Sequence, residues 1–137
     1  MKKITLLLVL FFTTQLFSNE FNIESALQEA KKLNRPIFYI VASSSCPHCH
    51  KYISGAIVKN ADKLKKDYVV ATCDIGKGEQ VFPPIPFSGT APTTYLLLPN
   101  GKLATQPIVG EIDTATLSEL LEQFSNYFKN KYKSTRR

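Results

Sequence analysis

The chain has 137 residues, 44% hydrophobic and 20% charged, which suits one domain with a modest core and excludes a disordered or collagen-like chain. Its formal net charge of +6 sits at the two ends: without Lys2, Lys3 and the C-terminal group Lys129, Lys131, Lys133, Arg136 and Arg137, residues 19–128 are one unit negative. The body lacks the basic stripe with interleaved aromatics that a nucleic-acid surface needs, so no nucleic-acid partner is expected.

Residues 1–18 read as a signal peptide. Lys2 and Lys3 give a positive start, residues 4–12 are apolar apart from Thr5, and a more polar stretch ends at Ser18. The apolar run is well short of the roughly 20 residues that span a bilayer. Cleavage after Ser18, no stable membrane insertion and a periplasmic location are therefore expected, with an uncleaved anchor as the alternative. In such an oxidising compartment cysteines can cycle or pair. There are three, Cys46, Cys49 and Cys73, and an odd number cannot all pair internally.

The first predicted element of the mature chain is a helix over 22–34, with Ile23, Ala26, Leu27, Ala30 and Leu33 at helical spacing, Asn22 as cap and Pro36 as stop. Residues 36–42 form a short run of β-branched and aromatic residues without alternation, which predicts a strand covered on both faces. Ser43-Ser44-Ser45 is an exit loop. A single helix is then predicted from about Pro47 to Lys65, with Gly55 as a weak point and candidate kink. Residues 68–73 are a second buried strand, in which Cys73 reads as an inert core thiol. Residues 76–89 are irregular and carry Pro83, Pro84 and Pro86. Phe82, Ile85 and Phe87 among them favour a core-plugging role over substrate contact.

Residues 93–98 are a third strand, Pro99-Asn100-Gly101 a hairpin turn, and 102–109 the return strand, placed at an edge by Pro107. Asp113 or Thr114 caps a last helix that buries Leu117, Leu120, Leu121, Phe124 and Phe128. Residues 19–128 then form one domain, and 129–137 a basic tail read as a solvated, frayed end. The order predicts an α/β fold: a central mixed four-stranded sheet, made of a parallel pair plus a C-terminal antiparallel hairpin, flanked by helices.

The chemistry concentrates at Cys46-Pro47-His48-Cys49. At the first turn of a helix, backbone N–H groups and the helix dipole favour negative charge, so a Cys46 thiolate is expected, below the ordinary pKa of about 8.5. Pro47 suits the first helical position, where its missing N–H has no partner. Cys49, one turn in, can attack a mixed disulfide on Cys46. Cys46 is thus the expected nucleophile, Cys49 the resolving thiol, and Pro47 and His48 modulators of the pair.

A strand, Cys-x-x-Cys and helix, followed by Thr90-Ala91-Pro92-Thr93, an apolar strand, Asn100-Gly101-Lys102, Val109-Gly110 and an amphipathic helix, resemble the thioredoxin superfamily over residues 36–128. The resemblance implies a cis Pro92 facing the cysteines and a substrate-binding role for the backbone of Ala91 and Pro92. The Pro47-His48 dipeptide is similar to that of periplasmic disulfide oxidases. Three departures stand out: the chain has no room for the helical insert of the larger oxidases, Ile40 occupies the place of a buried acid, and Ser45 that of the usual tryptophan.

The expected function is thiol–disulfide exchange with protein or peptide thiols, serviced by a redox partner, by a monomer with no cofactor and no metal. Other readings of the same residues are a structural disulfide on a binding module, a c-type haem site at Cys46-Pro47-His48-Cys49-His50, and a metal site using His48 or His50.

Overall fold

A computed structural model describes residues 21–134. The signal-peptide segment therefore lies outside the described residues. Helix α1, Ile23–Leu33, starts at Asn22, whose Oδ1 accepts the Ser25 N–H at 2.7 Å. It ends at Asn34, which takes the left-handed conformation at φ 52° and donates its N–H to Ala30 O. Strand β1, Ile37–Ala42, follows and runs through the middle of the molecule.

The predicted helix over 47–65 is interrupted. Helix α2 covers Pro47–Tyr52, a π turn covers Ile53–Ile57 around Gly55, and helix α3 covers Ala61–Asp67. Asn60 separates the two runs. Its buried side-chain amide donates to Ala56 O at 2.8 Å and to Thr114 O at 3.2 Å, so a polar group that periodicity cannot weigh ends one helix and ties it to the last one.

Strand β2, Val69–Asp74, pairs parallel with β1, and β3, Thr93–Leu97, pairs antiparallel on its other side. Strand β4, Ile108–Val109, completes the order β2-β1-β3-β4. The expected mixed four-stranded sheet is therefore present. On the outer side of β2, the Thr72 N–H donates to Phe21 O at 2.8 Å.

The return strand is shorter than predicted. Leu103 bridges Leu97 and Ile108 pairs with Thr94, so the return segment carries two more residues than the strand it faces. Ala104 still donates its N–H to Leu96 O at 2.9 Å, and the excess bulges out at residues 105–107, where Pro107 has no N–H to offer a ladder.

The two faces of β1 serve two cores. Ile37, Tyr39 and Val41 pack with Ile23, Ala26 and Ala30 of α1 and with Ile85 from the irregular segment. Phe38 and Ile40 pack with Tyr52, Ala56, Ile57 and Leu64 and with the last helix, α4, Thr114–Ser134. Residues 76–89 do plug the core. The Tyr39 hydroxyl accepts the Phe82 N–H at 3.2 Å, and the Tyr95 hydroxyl donates to Pro86 O at 2.8 Å.

Helix α4 buries Leu117, Leu121, Phe124 and Phe128, and Asp113 caps it by accepting the Thr116 N–H at 2.9 Å. It continues through Ser134. Residues 129–134, read from sequence as a frayed tail, are thus helical. Lys129 pairs with Asp67 at 2.7 Å, and the Phe128 and Tyr132 rings lie 4.5 Å apart, which extends the packed face by another turn.

Candidate active site

The site forms where β1 hands over to α2. Cys46 is the N-cap of α2, with extended backbone at φ −96° and ψ 112°, and Pro47 takes the first helical position. The Cys46 Sγ accepts the Cys49 N–H at 3.2 Å, one of the donors that a helix start leaves without a backbone partner. The Cys46 carbonyl accepts the His50 N–H at 3.2 Å, which fixes the first turn. Cys46 is half-buried and Cys49 is 1% exposed. Burial, and next its hydrogen bond with Cys46, push the Cys49 thiol up to about 11.

A second segment meets the cysteines. The Ala91–Pro92 peptide bond is cis. The Cys46 thiol lies 3.8 Å from Ala91 O, so Cys46, Cys49, Ala91 and Pro92 converge on one place. Pro92 O accepts the Gly110 N–H at 2.8 Å, which anchors this segment to the turn after β4.

The loop that delivers Cys46 is braced by a residue the sequence reading missed. Asp74, at the end of β2 and in register with Ala42, accepts the Ser44 N–H at 3.0 Å and the Gly76 N–H at 2.9 Å. Desolvation is the largest single influence on its carboxyl and pushes it up, but the Ser44 and Gly76 N–H groups together with Lys77 outweigh it and hold the carboxyl below the usual range. Its position at the carboxyl end of a parallel pair beside the site was the available signal. Glu111 was missed too. Its Oε1 lies 2.7 Å from His48 Nδ1, and that hydrogen bond lowers the Glu111 carboxyl, with Lys51 assisting at 3.9 Å.

The two histidines have separate partners. His50 Nε2 lies 2.6 Å from Ser44 O, and because a carbonyl only accepts, Nε2 carries the proton. One ring nitrogen of the histidine in the haem-type motif is thus occupied by the backbone. Among the described residues, no three His, Cys, Asp or Glu side chains cluster as a metal site. Cys73 is buried away from the pair, its thiol 3.8 Å from Glu79 O, and desolvation raises it. Ile40 packs in the core, so no carboxylate takes the place of the missing acid there.

No family model matches the sequence, and no curated protein matches it. Solved structures do. A thioredoxin from Thermus thermophilus is 19% identical over 77% of this chain and 85% of its own, with a TM-score of 0.60. The chain has a thioredoxin fold. DsbH oxidoreductase is 14% identical over 74% of this chain and 81% of its own, at a TM-score of 0.56. A thiol:disulfide interchange protein of the thioredoxin family from Chlorobium tepidum TLS is 12% identical over 69% and 83%, at 0.51. Within this thioredoxin fold, Cys46 and Cys49 have Cys-x-x-Cys spacing at the start of a helix.

Gly76 touches the cysteine-bearing loop closely: a Cβ there would lie 2.6 Å from Ser43 Oγ and 2.9 Å from Ser44 Oγ. Gly76→Ala is expected to cost about 1–3 kcal/mol in urea unfolding, the range for overpacking. Adding Ser43→Ala should recover part of the loss. An unchanged midpoint in Gly76→Ala would contradict the bracing.

Proposed function

We propose that this chain is an exported thiol–disulfide oxidoreductase that exchanges disulfides with protein or peptide thiols through Cys46 and Cys49. The observation that carries this reading is the half-buried Cys46 sulfur, hydrogen-bonded by the Cys49 N–H at 3.2 Å and lying against Ala91. The structural neighbours, a thioredoxin, an oxidoreductase and a thiol:disulfide interchange protein by name, support it.

The Cys46 thiolate attacks one sulfur of a substrate disulfide. A bond forms between Cys46 and that sulfur, and the other substrate sulfur leaves as a thiolate that takes a proton from solvent. Cys49 then loses its proton and attacks Cys46 Sγ. The Cys46–Cys49 bond forms, the second substrate sulfur leaves, and two electrons have passed from the chain's dithiol to the substrate. The reverse sequence oxidises a substrate dithiol, and a separate redox partner resets the pair. The peptide groups of Ala91 and Pro92 border Cys46 and provide the backbone against which an extended substrate segment aligns.

Cys46→Ser is expected to abolish exchange with a disulfide substrate, whereas Cys49→Ser should accumulate a mixed disulfide visible by mass spectrometry. Full activity in Cys46→Ser would remove the mechanism. The buried, raised Cys49 thiol adds a sign to the pH dependence. Below its pKa the Cys49 thiolate fraction grows about tenfold per pH unit, so resolution of a preformed mixed disulfide should accelerate between about pH 7 and 9. A flat stopped-flow profile over that range would contradict it.

Export rests on the charge and hydropathy pattern of residues 1–18. When the full chain is expressed in a bacterium, N-terminal sequencing of the periplasmic product is expected to begin at Asn19. A product that still begins at Met1 would count against cleavage.

A further inference from the structure

We propose that Glu111 is a positioning residue for His48: its carboxylate accepts the ring's Nδ1–H and leaves Nε2 as the nitrogen presented to solvent and incoming thiols. The inference rests on the exchange reaction proposed above for its consequence, though not for its geometry.

Three observations carry it. Glu111 follows Gly110, whose N–H is tied to Pro92 O at 2.8 Å, so the carboxylate stands on the same anchored turn as the segment beside Cys46. From that turn it reaches His48 Nδ1 at 2.7 Å with Oε1 and faces Lys51 Nζ at 3.9 Å with Oε2. His48 and Lys51 are three residues apart and share one side of the helix start. One carboxylate thus joins the Pro92 platform to the helix that carries both cysteines.

The direction of the hydrogen bond follows from chemistry. An ionised carboxylate can only accept, so Nδ1 must hold the proton. A free neutral imidazole ordinarily prefers the proton on Nε2, and the pairing reverses that preference. The His48 side chain is 74% exposed and that of Glu111 30%, a setting in which an ion pair adds little to stability. Its effect is instead felt locally, because His48 lies two residues from the Cys46 sulfur.

The test uses the reduced full chain, Glu111→Ala, His48→Ala and the double variant. Ring ¹⁵N shifts are read at about pH 9, well above the ordinary histidine range. The parent should hold the Nδ1–H tautomer, and Glu111→Ala should move His48 to Nε2–H. The dithiol–disulfide equilibrium constant against glutathione should change at least about threefold in Glu111→Ala, and less than about 1.5-fold when His48 is already Ala. An unchanged tautomer, or equal changes in the two backgrounds, would overturn the assignment. A chain that fails to exchange with glutathione at all would instead sink the function proposed above, and the tautomer alone would then decide the pairing.

Discussion

The arrangement depends on one hydrogen bond, that from the Cys49 N–H to the Cys46 sulfur. Every helix begins with N–H groups that have no partner in the helix itself, and an oxygen of Ser, Thr, Asp or Asn usually takes one of them. Here a sulfur does so. The same contact that completes the helix therefore directs an N–H dipole at the Cys46 sulfur. Its geometry holds only because β1 ends at Ala42, the serine loop is pinned by Asp74, and Pro47 sets the first helical turn.

Depth then separates the two sulfurs. Cys46 is partly open beside Ala91, while Cys49 lies under the helix in a core setting that disfavours its charged form. The influences on Cys49 are burial, Cys46 and the backbone of Ser43 and Cys49, with no carboxylate among them. Ile40, packed with Phe38 on one face of β1, leaves that side apolar. The fold thus makes the two sulfurs chemically unequal through their exposure.

Much of this was legible from residues alone. The apolar run before the cysteines, the Pro at the helix start and the Asn-Gly turn are local signals, and each led to the right element. What escaped depended on partners distant in sequence. Asn60 breaks a periodic helix because its amide finds Thr114 O, 54 residues on. Helix α4 outlasts its predicted end because Lys129 finds Asp67 and Phe128 finds Tyr132. Glu111 joins the site across 63 residues. Single-sequence patterns report faces and caps, and they carry no information on which side chain a returning strand will set beside a helix.

The bulge in the return segment also bears on how the molecule meets other molecules. Strand β4 is regular for only two residues, Ile108 and Val109, and Pro107 just before them offers no donor. At the opposite margin, the Thr72 N–H is already taken by Phe21. Neither rim of the sheet, among the described residues, presents a long row of unsatisfied backbone groups. Such rows template the growth of one sheet onto another. The chain is thereby poorly suited to lateral aggregation through its own sheet.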